Sequence, residues 1–173
     1  MFNINIIIFG EMGAGKSTVA KYLTNNFNYF SCALGEKIHS ECRLHGNETR
    51  EEMQQYGQAM RKIFGENIWC DYLYTRYGNK EKIVIDDARQ INEFYYFLAK
   101  NYLPIAVITQ DDIRLQRLQK RVDYVIDVNT FNHETEVQAR KCVSMCDIKI
   151  YNDSTNEDLY KEIENKLLRY IDG

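Results

Sequence analysis

The chain has only one proline and one tryptophan among its 173 residues, and it has no long apolar run. With 45% hydrophobic and 27% charged residues, this composition excludes a collagen-like or low-complexity chain and predicts a folded globule with a sizeable core. No stretch approaches the roughly 20 apolar residues of a membrane span. The apolar stretch 6–9 is too short for a signal-peptide core, so we expect a cytoplasmic protein without a membrane partner.

Cysteine pairs and excess positive charge are also missing. The five cysteines are an odd number and form no C-x-x-C pair, which argues against a complete disulfide framework and against a zinc ribbon. We expect reduced and mostly buried thiols. The net charge of -3 provides no overall positive field, so we predict no nucleic-acid partner and only a local site for any anion.

Hydrophobic periodicity predicts strands that alternate with helices, the pattern of an α/β fold with a parallel sheet. The length suits one hydrophobic core, so we expect residues 1–173 to form a single domain. Five strands are predicted at 4–9, 29–32, 82–85, 105–108 and 147–151. Helices are predicted at 16–26, 37–45, 50–64, 67–77, 92–101, 113–121, 134–142 and 157–171.

The strongest chemical signal is the stretch 10–18, which fits the pattern G-x-x-x-x-G-K-[ST] between a predicted strand and a predicted helix. Glycines permit the backbone angles that turn successive N–H groups toward a phosphate, and the helix N-terminus adds roughly half a positive charge. We predict that Lys16 reaches the β- and γ-phosphates of ATP and that Ser17 coordinates Mg²⁺. The predicted ATP contacts in this loop are Gly13, Ala14, Gly15, Lys16, Ser17 and Thr18. A glycine-rich turn with a solvated lysine is the structural alternative.

A phosphate loop does not by itself separate kinases from GTPases or motor ATPases. The guanine-recognition motif Asn-Lys-x-Asp of GTPases is absent, and a motor or oligomeric ATPase domain usually needs a longer chain. A small kinase with ATP as the phosphoryl donor remains. Such an enzyme needs an acceptor pocket, a carboxylate beside the metal and a cationic lid.

The metal-side carboxylate is expected after the strand 82–85, where Asp86, Asp87 and Arg89 follow. A carboxylate at this position meets Mg²⁺ or its water. We favour Asp87 as the residue that faces the metal or the acceptor, with Asp86 in support, although side-chain alternation leaves the reverse order open. The guanidinium of Arg89 suits a phosphate in the same pocket. Capping of the next helix is the structural alternative for the acid pair.

A cationic lid is predicted at about 111–135. Arg114, Arg117 and Arg121 recur at i, i+3 and i+7 of a predicted helix, so their guanidinium groups are expected on one face. Cations that close over the transferring group neutralise its charge and exclude water. We predict catalytic roles for Arg117 and Arg121 and an ATP contact for Arg114. A merely solvated charged face is the alternative.

The acceptor is expected between helices at about 34–78. Gln54, Gly57 and Arg61 share one face of the predicted helix 50–64. A mid-helix glycine costs roughly 0.5–1 kcal/mol relative to alanine, which a closely approaching ligand would explain. We predict that Arg61 binds the acceptor's phosphate and Gln54 its base, whereas a surface helix with incidental polar residues is the alternative. The predicted core face of this helix is Met53, Tyr56, Met60 and Ile63.

Together these motifs resemble the small P-loop nucleoside monophosphate kinases, most closely the deoxynucleoside monophosphate kinases of phage and bacterial type. The resemblance is carried by residues 10–18, by 50–65 with Trp69, by 87–89 with Asn92 and Glu93, and by 133–136. It departs from the family at 90–91 and 134–135, so the roles of Asn92, Glu93, His133 and Glu136 stay open.

The resemblance implies a P-loop NTPase fold of three α/β/α layers with a five-stranded parallel sheet and a helical lid. It implies that ATP lies on the phosphate loop with its adenine beside residues 152–154, so that Asn152 contacts ATP. It also implies that Arg61 and Arg89 bind the acceptor phosphate. The lid arginines would then lie between the donor and the acceptor.

The favoured function is therefore transfer of the γ-phosphoryl group of MgATP to a (deoxy)nucleoside monophosphate by a monomer or homodimer. Dephospho-coenzyme A kinase is an alternative that needs a carboxylate base soon after the phosphate-loop helix, where Glu36 is the one suitable acid. A nucleotide-binding sensor without turnover is a second alternative, but it would not need the acidic strand end or the arginines.

Overall fold

The computed structural model describes residues 4–46, 49–120 and 134–171, in which five strands and eight helices follow one another. The strands are β1 Asn5–Phe9, β2 Phe30–Cys32, β3 Ile83–Ile85, β4 Tyr102–Ile108 and β5 Ile148–Tyr151. The helices are α1 Lys16–Phe27, α2 Glu36–Leu44, α3 Arg50–Phe64, α4 Ile68–Tyr77, α5 Ile91–Leu98, α6 Asp111–Gln119, α7 Glu134–Met145 and α8 Asn156–Ile171.

The strands form one parallel sheet in the order β2-β3-β1-β4-β5, with helices on both faces. The predicted three-layer α/β/α fold with a five-stranded parallel sheet is thus confirmed. Because every strand runs the same way, the carboxyl ends of β1, β3 and β4 meet at one edge, the edge where open α/β sheets bind ligands. The structure therefore brings the segments that follow these three strands together.

Strand β1 lies at the centre of the sheet and is buried on both faces. Ile6 and Ile8 pack into the core on the side of α1 and α8, whereas Ile7 and Phe9 pack into the core formed with α4, α5 and α7. All four side chains are fully buried. A continuous apolar run is what a strand covered on both faces requires.

The one proline, Pro104, lies within β4, which begins three residues before its predicted start. Its register partner is Ile7 of β1, whereas β5 pairs with β4 only from Ile105 onward. Pro104 therefore has a strand neighbour on one side only. This position tolerates a residue without a backbone N–H group better than a position paired on both sides.

Helix α3 differs from its prediction in which residues it buries. Thr49 and Glu52 form a capping box at its start, and the helix packs mainly against α2 and α4 rather than against the sheet. Ile63, predicted in its core face, is 69% exposed because nothing in the described residues covers the last turn of α3. None of the described helices combines the length and the apolar character needed to cross a membrane.

Candidate active site

The phosphate loop connects β1 to α1 at the edge where the strand ends meet. Gly13 and Gly15 adopt left-handed backbone angles with φ of 83° and 97°. The carbonyl of Ala14 between them accepts hydrogen bonds from Asn152 Nδ2 at 2.8 Å and from Thr109 Oγ1 at 2.9 Å. These two side chains, from the segments after β4 and β5, fix the position of this carbonyl of the loop.

Lys16 is buried in the first turn of α1. Its Nζ donates to the carbonyl oxygens of Gly10 at 2.6 Å and Glu11 at 3.1 Å. Burial, followed by the positive charge of Arg89, lowers the pKa of Lys16 to about 7, although nearby carboxylates including that of Glu136 oppose the shift. The ammonium group therefore lacks the negative charge that would restore its ordinary pKa, and a bound phosphate would supply it.

We expect nucleotide binding to be coupled to proton uptake through Lys16. An anion on the loop would raise the lowered pKa, so above pH 7 the protein should take up a proton when MgATP binds. Calorimetric titration at pH 8 in buffers of different ionisation enthalpy should show this uptake, and MgATP affinity should fall between pH 7 and pH 9. Lys21→Ala, an exposed change on the same helix, should keep the uptake. Binding without proton uptake by the unmodified protein would contradict the coupling.

The two acids after β3 have different surroundings. Asp87 Oδ1 and Oδ2 accept the backbone N–H groups of Leu34 and Gly35, each at 2.8 Å, and thereby fix the turn between β2 and α2. Burial raises the pKa of Asp87, although these hydrogen bonds act in the opposite direction. None of the described residues donates a hydrogen bond to the carboxylate of Asp86. Asp86 therefore has the freer oxygens.

The donor set at this edge fits Mg²⁺. Ser17 is exposed in the first turn of α1, and the charges of Asp86 and Asp87 both act on the neighbouring Lys16. The described part of the chain holds no cluster of three or more acidic, histidine or cysteine ligands. Mg²⁺ keeps several waters and takes one or two protein oxygens together with phosphate oxygens, and Ser17 and an acid after β3 could supply such oxygens. The assignment of Asp87 as a metal ligand stays a prediction.

The two arginines predicted for the acceptor each pair with a buried glutamate. Arg61 Nη2 lies 2.9 Å from Glu93 Oε1, and Arg89 Nη1 forms an ion pair with Glu136 Oε1. Glu93 Oε2 also accepts the backbone N–H groups of Arg89 and Gln90, so it caps α5 as well. Both glutamates are 3% exposed, which leaves their carboxylates few alternatives to these partners.

Arg61 and Arg89 line one cavity of about 400 Å³ between α2, α3 and the segment after β3. The predicted acceptor residues Gln54 and Gly57 line the same cavity, as do Asp87 and Trp69. The tertiary structure thus brings together every residue that we predicted for acceptor binding. The order of these residues along the chain does not by itself reveal this convergence, because α3 and the segment after β3 are separate in sequence.

The mid-helix glycine of α3 is explained by protein packing. A Cβ atom added to Gly57 would lie 3.0 Å from Cδ1 of Ile38 in α2. The indole Nε1 of Trp69 in α4 donates to the Gly57 carbonyl at 3.2 Å. Close approach of α2 therefore accounts for this glycine, which in addition lines the cavity.

The two described arginines of α6 that were predicted for the lid have different partners. Arg114 is 4% exposed and pairs with Glu11 at 2.8 Å and with Asp111 at 3.2 Å. Arg117 Nη2 instead donates to the backbone oxygen of Asn152 at 3.0 Å, beside the phosphate loop. An ATP contact of Arg114 and catalysis by Arg117 stay predictions. Arg121, His133 and the segment 121–133 of the predicted lid lie outside the described residues.

The sequence predicts no role for Glu11 or Thr109, and it leaves that of Glu136 open. All three nevertheless contact the phosphate-loop backbone or the cations around it. Glu136 Oε2 accepts the backbone N–H of Met12 at 3.0 Å. A buried partner for Glu136 could have been predicted, because Glu136 lies on the same stripe of α7 as the buried residues Ala139 and Cys142. An acidic residue on an otherwise apolar stripe indicates a buried partner. No comparable pattern marks Glu11 or Thr109.

Known proteins resemble this chain in sequence and in fold. A UPF0200 protein of Thermoplasma volcanium is 27% identical over 94% of this chain and 95% of its own length. A UPF0200 protein of Staphylothermus marinus is 28% identical over 96% of this chain and 93% of its own length. These relatives therefore match the chain along nearly all of its length.

The fold is that of P-loop kinases. The structure of shikimate kinase from Aquifex aeolicus matches with a TM-score of 0.66 at 18% identity, over 98% of this chain and 99% of that one. A gluconokinase from Sinorhizobium meliloti matches with a TM-score of 0.62 at 12% identity, over 99% of this chain and 95% of that one. A family model described as an AAA domain matches residues 6–139, more than half of the chain. The chain therefore belongs to the AAA_18 family of AAA domains.

Proposed function

We propose that the protein transfers the γ-phosphoryl group of MgATP to the phosphate of a nucleoside monophosphate. The observation that carries this proposal is the pair Arg61 and Arg89 in one cavity beside the phosphate loop. Arg89 is close enough to Lys16 for its charge to lower the pKa of that lysine. Two guanidinium groups recognise an anionic phosphate well, because each presents a planar fork of donors.

The donor side of the proposed site is the loop 13–18 with Arg117 and Asn152 at its rim. Backbone N–H groups of the loop and the start of α1 would hold the phosphates, and Lys16 would contribute a point charge. Mg²⁺, when bound, neutralises charge on the β- and γ-phosphates. We propose Ser17 and one of the acids Asp86 and Asp87 as its protein ligands, with Asp86 favoured by its freer oxygens.

The acceptor side needs no dedicated base for this reaction. A monophosphate is already negatively charged at neutral pH, so transfer depends on positioning and charge neutralisation. A cavity of about 400 Å³ is within the range of pockets that enclose small ligands. Its wall combines apolar side chains such as Ile38 and Met53 with the side-chain amides of Gln54 and Gln58, which suits a base with a polar edge.

The proposal is tested by ADP release from MgATP in the presence of ribo- and deoxynucleoside monophosphates. We expect turnover that depends on the added monophosphate, and the preferred base and sugar would emerge from the same panel. Dephospho-coenzyme A, shikimate and gluconate belong in the panel as hydroxyl acceptors. Turnover on these compounds alone would contradict transfer to a phosphate.

A matched pair of arginine variants tests the placement of the acceptor. Arg61→Lys keeps the charge beside Glu93 but loses the bidentate fork, so we expect the KM for the monophosphate to rise about tenfold with a smaller change for ATP. Arg76→Lys, the same change at an exposed position of α4, is the control and should leave both constants unchanged. A rise confined to the KM for ATP would show that the cavity does not hold the acceptor.

A hydroxyl acceptor is the second candidate, and Asp87 is the observation that favours it. This carboxylate lines the cavity, and burial raises its pKa above the ordinary value, as a general base requires. Glu36, the base required in the dephospho-coenzyme A kinase alternative, instead accepts a hydrogen bond from Tyr77 at 2.9 Å and does not line the cavity. ATP binding without turnover on any acceptor would instead favour the other alternative, a nucleotide-binding sensor that transfers no phosphoryl group.

A further inference from the structure

Glu136 is the residue at which the acceptor side and the donor side of the proposed site meet. Its carboxylate lies at the start of α7 and is almost fully buried. One oxygen, Oε2, accepts the backbone N–H of Met12 in the phosphate loop at 3.0 Å. The other, Oε1, forms the ion pair with Arg89 after β3. A single side chain thus bridges the ends of two strands.

Helix α7 contacts the phosphate loop at a second, adjacent position. Arg140, four residues after Glu136, places Nη1 2.9 Å from Oε1 of Glu11. Glu11 and Met12 are consecutive in the loop, so one face of α7 holds two successive residues of the loop. The loop's first turn is therefore positioned by α7 as well as by β1.

We propose that Glu136 is a positioning residue that sets Arg89 and the phosphate loop in one geometry, so that an acceptor phosphate on Arg89 faces the γ-phosphoryl group. This inference rests on the proposed function. A buried carboxylate with a charged partner and a backbone partner has little freedom to reorient, because losing either contact would leave a desolvated charge under-compensated. In-line transfer depends strongly on such alignment, since a displacement of about 1 Å can cost roughly 10²-fold in rate.

Glu136→Gln is the first test, because it keeps the size of the side chain and one acceptor oxygen but removes the charge that holds Arg89. We expect kcat to fall about 10- to 100-fold while the KM for MgATP changes less than about threefold. Glu157→Gln, an exposed change in the first turn of α8, is the charge-matched control and should leave kcat unchanged. A kcat of Glu136→Gln within about twofold of the unmodified protein would overturn the inference.

A double variant separates coupling from two independent effects. Because Glu136 acts partly through Arg89, the combination of Arg89→Gln and Glu136→Gln should lose less activity than the product of the two single losses. Multiplicative losses would overturn the inference. Should Glu136→Gln fail to fold, Glu136→Asp replaces it throughout, because this shorter carboxylate keeps the charge but cannot span both partners in the same way.

Hydrogen exchange tests the inference without any turnover. We expect Arg89→Gln to speed exchange of the Met12 amide, because Glu136 loses the ion pair that orients it toward that N–H group. Glu157→Gln should leave the exchange unchanged. Unaltered exchange in Arg89→Gln would overturn the inference even for an active enzyme. Absence of transfer to every monophosphate by the unmodified protein would instead overturn the proposed function alone.

Discussion

Lys16→Ala is expected to lower phosphoryl transfer by about 10³-fold and to leave the fold intact. The side chain is the one cation of the phosphate loop, and its Nζ lies within hydrogen-bond distance of two loop carbonyls. Removing it takes away a preorganised charge from the group that develops negative charge during transfer. Steady-state ADP release with the best acceptor measures the loss, and circular dichroism checks the fold.

The effect of Lys16→Ala on stability should depend on pH. A pKa lowered to about 7 means that the folded protein binds fewer protons than the unfolded chain between about pH 7 and the ordinary value of 10.5. The contribution of Lys16 to stability therefore falls as the pH falls through this window. We expect the variant to gain stability relative to the unmodified protein from pH 10 down to pH 7, as measured by thermal unfolding.

Lys21→Ala is the control for both effects, because Lys21 is an exposed lysine on the same helix. It should retain activity and show no comparable pH dependence. A Lys16→Ala protein with more than about a tenth of the original kcat would contradict the assignment of the loop to the transferred phosphate.

Gly15→Ala is expected to abolish nucleotide binding and to destabilise the protein. Gly15 has a φ of 97°, and a Cβ atom there would overlap Nδ2 of Asn152. That amide cannot move freely, because it donates to the Ala14 carbonyl and lies beside Arg117. The substitution therefore combines backbone strain with displacement of the side chain that shapes the loop. Calorimetric titration with MgATP and thermal unfolding measure the two losses.

Gly65→Ala is the control for the Asn152 contact. Gly65 has a φ of 101°, nearly the same as that of Gly15, but no atom lies within 4 Å of a Cβ added there. Gly65 has a ψ of 155° where Gly15 has 24°, so Gly65→Ala should show only backbone strain of its own, about 1–3 kcal/mol, and should keep MgATP binding. Equal losses of MgATP binding in the two variants would contradict the role of the Asn152 contact.

The phosphate loop and the acidic strand end were predictable because their residues are contiguous and follow buried strands. The pattern at 10–18 required only a strand before it and a helix after it, and β1 and α1 provide both. The prediction for α3 was less complete, since Gly57, placed outside the predicted core face, is buried and Ile63 of that face is exposed. Periodicity shows which residues share a face, but it does not show which neighbour covers that face.

The sequence by itself determined the alternation of strands and helices, the parallel sheet and the phosphate loop, because these depend on local periodicity and on short contiguous motifs. Only the tertiary structure decided which carboxylate holds which arginine. Glu93 lies 32 residues from Arg61, Glu136 lies 47 from Arg89, and Met12 is 124 residues from Glu136. Charge pairing over such separations has no sequence period, since the partners meet only after the strand ends come together at one edge of the sheet.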